Sequence, residues 1–474
     1  MKNLQDRLLG WLAAPISPRT LAVLRIVFAS LGLVLLLMAL QDSQWLGGPV
    51  PGGPRVWMDC FSGRSQEEVR LFLGVGVFFG LTSLVGLVTP LSLLIFWLVL
   101  LNLRNHMAWA ASEGGLQVVQ CALLCLLWTP CGREWSMDAR FGWWRKQSLW
   151  SGPIRVLQLL QIVIYLESGF YKLMGSDWWN GNALLKVTQN QNFSLVFDWV
   201  ATPHPVVAGL MTLITWLVLI WELTFPLWLL WRPSRYLAFA IGIAMHALLW
   251  LFFDVGLYPP AMLALYLTYL PDRRAIQLVP PFRWKRAWVA IHAGLVLWAA
   301  WPVHLVYPDD PRLRSPVPGL AALELAAYRS RLWLLKAAPL RAWQALGDNL
   351  GLNHRYNTFA PTTPNCCVMF RLRDQHGRLL WSDVPGEGQR YSWTVVSVRG
   401  LATCSPEALP LFFQRAAAHF GSSEGLVLEE WLVELGRPCS TRVLNQSWSW
   451  LPLTGHERQQ SPGIGNQQPG PARL

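Results

Sequence analysis

Gln158, Gln161, Tyr165, Ser168 and Lys172 recur at steps of three and four residues through an otherwise apolar run, 154–173. At about 100° of rotation per residue these positions share one helix face. Five hydrogen-bonding side chains ending in an amine therefore form a stripe that has to face protein or a cavity. A buried amine in its neutral form carries a lone pair and can take up a proton, so the stripe points to base chemistry. The plain alternative is snorkelling, with Lys172 reaching headgroups from near the end of its run. Glu167 lies about 140° around the helix from Lys172. The two are not a same-face ion pair, and Glu167 needs a different partner.

Other polar residues carry two readings each. Asn105 and His106 follow the third apolar run on the side where Lys172 also lies, as interfacial residues or as part of an active site. Glu222 and His246 sit inside apolar runs, where interhelical hydrogen bonding competes with a functional role. Asp177 and Trp178 follow the Lys172 run and either cap a cavity or, for the tryptophan, belong to the aromatic belt. No CxxC, HExxH, P-loop, GxSxG or dinucleotide fingerprint is present, so no metal is expected.

These residues need helices in a bilayer to position them. Of 474 residues 53% are apolar and 14% charged, with a mean hydropathy of +0.31. That excludes a single soluble globule and general disorder. The 29 Trp suit the two bilayer interfaces. Nine apolar runs are read as spans: 21–40, 71–88, 91–103, 116–128, 154–173, 206–231, 237–253, 255–270 and 287–306. The third and fourth are short and should draw polar neighbours such as Asn102 and Gln117 into contact with protein. The first is too long for a secretory signal and lacks a cleavage site.

With residues 1–20 cytoplasmic, the inner connecting segments hold 15 Lys and Arg against five in the outer ones. The net charge of +12 is then explained by topology and anionic lipid, and nucleic acid is not an expected partner. The expected fold is an α-helical polytopic membrane protein of about nine transmembrane helices with a small α+β extracytoplasmic C-terminal domain. Its parts are a cytoplasmic segment 1–20, a membrane domain 21–306, the outer domain 308–458 and a disordered tail 459–474. A bacterial inner membrane suits this arrangement.

In the outer domain 320–350 reads as an amphipathic helix broken at Pro339. Segments 368–373 and 379–382 flank Gln375-His376-Gly377 as a hairpin, 393–399 is a further strand and 406–420 a helix. Cys121, Cys125 and Cys131 are expected as small packing residues. Cys366, Cys367, Cys404 and Cys439 lie in an oxidising compartment, where at least one disulfide should join the adjacent pair to Cys404 or Cys439.

The stretch Tyr165-Leu-Glu-Ser-Gly-Phe-Tyr-Lys172-Leu, followed by Asp177-Trp-Trp-Asn-Gly181, resembles the HTTM family, the transmembrane domain shared with vitamin K-dependent gamma-carboxylases. Other blocks agree in order: 17–26, Arg104-Asn105-His106 with Gly114-Gly115, 135–139, His246-Ala-Leu and 255–264. The resemblance covers about 15–272, and 356–361 is weakly similar to the entry of the family's tail domain. It implies that Lys172 falls on the lysine that deprotonates vitamin K hydroquinone and that His106 falls near an active-site histidine. It further implies a vitamin K-type hydroquinone as cofactor and a lyase-type carboxylation, with an exported protein or lipid-soluble substrate as partner. Tyr171 stands where the animal enzymes have a second lysine, and the C-terminal region is shorter than theirs. Lipase maturation factors keep a comparable helix, which leaves open a non-catalytic membrane partner for an exported protein.

Overall fold

The computed structural model describes residues 16–41, 60–61, 63–107, 114–143, 151–173, 175–190, 194–196, 204–229, 232–269 and 283–299, and beyond these chiefly 333–349, 366–382, 425–434, 443–450 and 465–467. It opens with α1 (Pro18–Gln41), α2 (Gln66–Val85) and α3 (Thr89–Met107). The three pack through small residues. A Cβ on Gly32 would lie 2.7 Å from the Phe96 ring, one on Gly76 2.6 Å from Val99 and one on Gly80 2.5 Å from Leu33. Close approach of this kind associates helices where lipid offers no apolar contrast. Ser65 starts α2 with a reciprocal cap to Glu68, and Gly86 ends it in the left-handed region.

The short fourth run becomes α4 (Gly114–Leu127), buried from Gly115 to Leu126 without a break. A helix that short is tolerated at membrane depth because protein surrounds it. Gln117 is buried, as is Asn102, which donates to the Leu98 carbonyl and accepts from the Cys60 N–H. There follow α5 (Met137–Arg140), α6 (Gly152–Leu173), α7 (Ser176–Trp179), α8 (Ala183–Thr188), α9 (Pro205–Trp228), α10 (Arg232–Phe252), α11 (Tyr258–Tyr266) and α12 (Arg283–Ala299).

Among the described residues four helices are long and apolar enough to cross a membrane, lying in α1, α2, α9 and α10. They expose Leu37, Phe78, Leu213, Ile220 and Leu251 outward, as lipid-facing surfaces do. The eighth expected span differs. Its described helix α11 has 9 residues and a 3-10 turn, Leu267–Tyr269, follows it. At 1.5 Å rise α11 reaches only about 14 Å, and it is packed inside the bundle because Asp254 and Gly256 end the apolar run before it and Pro259 sits in its first turn.

Beyond the bundle α13 (Ala338–Asn349) places Trp343 against Gly294 of α12. Helical residues 333–334 give way to a turn at 335–337, so the helical stretch is broken just ahead of Pro339, which lies in the first turn of α13. A five-stranded antiparallel sheet has the order β2-β1-β3-β4-β5, from β1 (Cys366–Asp374), β2 (Leu379–Ser382), β3 (Leu426–Glu434), β4 (Val443–Trp450) and β5 (Gly465–Gln467). The β1–β2 hairpin is where the sequence places it, with Gly377 at φ +81°. β5 falls inside the stretch expected to be a disordered tail and pairs Ser447, Trp448 and Ser449 of β4, so ladder bonds order it. Of 406–420 the described Phe413, Ala416, Ala417 and Phe420 are helical. Residues 393–399, Cys404 and Cys439 lie outside the described residues.

Asp374 turns the hairpin, accepting from the N–H groups of His376 (3.1 Å) and Arg378 (2.8 Å) and from the Arg378 guanidinium (3.1 Å). Burial pushes this carboxyl up, but the Arg378 N–H, the Arg378 charge and the His376 N–H outweigh it and hold the group below its usual range. A lowered carboxyl stabilises the fold above its unfolded value, about 4, and loses that contribution as pH falls through the folded value. Asp374→Ala is expected to speed amide exchange at 379–382 at neutral pH, with the membrane helices unchanged. Unaltered exchange there would assign the turn to Gly377 alone.

Candidate functional site

Helix α6 carries the polar stripe, and its C-terminal half packs on α9. Gly169 permits this, since a Cβ there would stand 3.0 Å from the Leu223 side chain and 3.3 Å from its backbone nitrogen. The connection after α6 folds back onto α9 as well. Leu184 N–H donates to Thr215 Oγ1 (3.2 Å) and Trp216 Nε1 to the Trp179 carbonyl (3.1 Å). Asp177, buried, pairs with Lys186 at 2.8 Å, which fixes α7 against α8.

This packing brings Lys172 and Glu222 together. The Lys172 ammonium, 3% exposed, donates to Glu222 Oε1 (2.6 Å), Glu222 Oε2 (2.5 Å) and Ser168 Oγ (2.6 Å). All three donors of the amine are used. The Trp178 ring lies with its centroid 5.1 Å from Nζ and covers the pair. Two opposite charges buried in apolar surroundings are tolerable because each neutralises the other and the remaining hydrogen-bond capacity is met. Snorkelling is not what Lys172 does here, since its nitrogen points at a carboxylate on the neighbouring helix.

About two turns before Lys172 along α6 the stripe meets a second polar group. Tyr165 Oη lies 2.8 Å from His246 Nε2 of α10 and 2.7 Å from Tyr266 Oη of α11. Trp221 and Phe225 of α9 pack on the Tyr165 ring at centroid distances of 4.7 and 4.5 Å. Gly242 lets the Tyr266 phenol in, because a Cβ there would fall 1.8 Å from Tyr266 Oη. Gly242→Val is expected to expel that phenol and destabilise the protein by about 1–3 kcal/mol. Thermal unfolding measures it, and Tyr266→Phe in the same chain should recover part of the loss. A variant as stable as the native protein would show that α11 moves freely.

The remaining stripe residues fare differently. Gln161 is buried and interacts with the Tyr165 hydroxyl, while His246 Nδ1 beside it is buried with no hydrogen-bond partner among the described residues. Gln158 is committed to structure: its oxygen accepts from Arg155 (2.7 Å) and its nitrogen donates to the Thr268 carbonyl (2.8 Å). The stripe is thus three environments rather than one surface. Asn105 and His106 are buried at the end of α3, where Asn105 accepts from Arg104 and His106 meets Phe61 edge-on at 5.5 Å. Neither is among the groups around Lys172 named above.

Sequence reasoning marked Lys172 and Glu222 separately but did not join them, and it missed Tyr266, Gly169 and Gly242 altogether. A usable signal existed for the pair: each is an ionisable residue inside an apolar run, and buried opposite charges pair. Among the described residues no group of three metal-binding side chains occurs. Cys121 and Cys125 are buried in α4, and burial pushes the Cys131 thiol beyond that helix up to about 11, leaving it protonated and inert near neutral pH.

Among known proteins, the HTTM domain profile matches residues 13–272, which spans every group of this site. No curated protein and no solved structure matches the chain.

Proposed function

The chain belongs to the HTTM domain family, whose membrane domain is related to the vitamin K-dependent carboxylases, and on that premise we propose that it is a membrane enzyme in which Lys172, with Glu222, accepts a proton from a lipid-soluble quinol. The observation that carries this reading is the buried Lys172–Glu222–Ser168 cluster under Trp178. An ammonium cannot accept a proton. Transfer of one proton along Nζ–H···Oε leaves a neutral amine and a neutral carboxylic acid, and the amine then has a lone pair for a substrate hydroxyl. Ser168 holds the nitrogen in place through either state, since its hydroxyl can accept or donate.

The residues suit a ligand with more than one oxygen. His246 Nδ1, on the ring that meets Tyr165, is buried without a partner among the described residues, and such a group is ordinarily satisfied by water or ligand. In this reading Lys172 receives the proton, His246 orients the ligand, and Trp178 with Asp177 excludes water from above. A bound quinol would supply the electrons and the acidic hydroxyl, with dioxygen as the electron acceptor. Carboxylation of an exported protein is the further step that the family relationship suggests. The test is quinol oxidation by purified protein, together with extraction of bound isoprenoid: turnover or a co-purifying quinone supports the proposal, and absence of both removes it. The full engagement of all three Lys172 donors favours a second reading, a structural ion pair in a non-catalytic maturation partner.

We also propose nine spans, with the short α4 and α11 crossing while sheathed by their neighbouring helices, an N-terminus inside and a C-terminal domain outside, supported by the excess of Lys and Arg in the inner segments. In that compartment Cys366 or Cys367 is expected to pair with Cys404 or Cys439. Thiol labelling of denatured, unreduced protein should leave at most two of the four reactive. Labelling of all four would remove the disulfide, and reporters after residues 20 and 320 in one compartment would remove the topology.

A further inference from the structure

A second built feature lies at the other end of the bundle from Lys172, where α1 and α3 begin, α2 and α4 end, and α6 starts. Arg25 is fully buried there and donates to two carbonyls of the α4–α6 connection, Nη1 to Cys131 (3.2 Å) and Nη2 to Trp135 (2.6 Å). Asp138 clamps the α2–α3 turn. Its oxygens accept from Val88 N–H (2.7 Å) and Thr89 N–H (2.8 Å), and its own N–H donates to the Gly86 carbonyl (2.9 Å). Gly86, at φ +71°, is required, since a Cβ would stand 2.2 Å from Arg25 Nη1.

Two residues inside these clamps carry strain. Val88 (φ +46°) and Trp135 (φ +50°) are the non-glycine residues with positive φ among the described ones. Such conformations persist only where the surroundings over-determine them, and they mark places where a side chain is held in a particular direction. What is held outward here is aromatic. Trp135, Phe141 and Trp143 are 59%, 56% and 57% exposed, and the last two stack at 5.3 Å with 30° between ring planes. Arg140 beside them is exposed. The nearby acids do not cancel its charge, because Asp138 is committed to backbone amides and Glu134 is paired with Arg19.

We propose that residues 133–143 are an interfacial foot that binds anionic phospholipid, with Trp135, Phe141 and Trp143 seated at the boundary of headgroups and acyl chains and Arg140 on the lipid phosphate. Exposed indoles held at the end of a transmembrane bundle favour that depth. Arginine beside them matches phosphate geometry. The charge of this end favours anionic over zwitterionic lipid, by roughly fivefold per basic residue near the surface. Arg25, Asp138 and Gly86 hold the foot at a fixed height, so binding requires no ordering of the segment.

The experiment is retention of lipid by the full-length protein purified from mixed phosphatidylglycerol and phosphatidylcholine micelles, read by mass spectrometry. Native protein is expected to enrich phosphatidylglycerol. Arg140→Glu, at an exposed position outside the clamps, should lower that enrichment about fivefold, and Phe141→Ser/Trp143→Ser should lower retention of both lipids. Inorganic phosphate at millimolar concentration should displace neither. Unchanged enrichment in Arg140→Glu overturns the proposal, and so does displacement by inorganic phosphate, which would reduce the foot to a simple anion site. If the double variant fails to fold, Arg140→Glu decides alone.

Discussion

Lys172→Ala is expected to lower quinol-dependent turnover by at least about 10²-fold, the loss that follows removal of a general base. Insertion into the membrane should be nearly unchanged, because removing a charge from a span does not penalise insertion. The variant also leaves the Glu222 carboxyl buried beside Ser168 with no cation. Its stability should therefore fall as well, and activity has to be compared per folded molecule. Rates that match the native protein after that correction would remove Lys172 from the chemistry.

The second large effect separates structure from function. Breaking a buried pair by deleting one partner costs about 3–5 kcal/mol, whereas replacing both by apolar residues of similar volume is often neutral or stabilising. Glu222→Ala should therefore be strongly destabilised, leaving the Lys172 ammonium 3% exposed without its carboxylate. Lys172→Met/Glu222→Leu should regain most of the native unfolding temperature and still be inactive. A double variant as unstable as the single one would mean that the pair also positions α6 on α9. A double variant that is stable and active would leave the pair without a catalytic part.

The bundle was largely legible because a bilayer imposes length and apolarity on whatever crosses it, and α1, α2, α9 and α10 follow those rules plainly. Even the brief run around Cys121 was readable as a helix sheathed in protein, and α4 is that. Strands β3 and β4 escaped notice. Leu426-Val427-Leu428 is followed by Glu429-Glu430, which breaks alternation, and in β4 only the Ser-Trp-Ser-Trp end alternates. Axial position within a helix was also legible, which is why the Lys172 stripe could be drawn at all. Which helices touch was not. Contact between α6 and α9 depends on a missing Cβ at Gly169, and entry of Tyr266 depends on one at Gly242. A lone glycine in an apolar run gives no sign of what leans on it.

The central claim is that Lys172 exchanges a proton rather than merely holding a charge, and Lys172→Arg addresses it most directly. Arginine keeps the positive charge and can still pair with Glu222, but its guanidinium stays protonated and cannot take a proton. Quinol oxidation should be lost in purified Lys172→Arg protein whose unfolding temperature stays near native. Oxidation at the native rate in that variant would contradict the account and leave Lys172 as an ion-pair partner only.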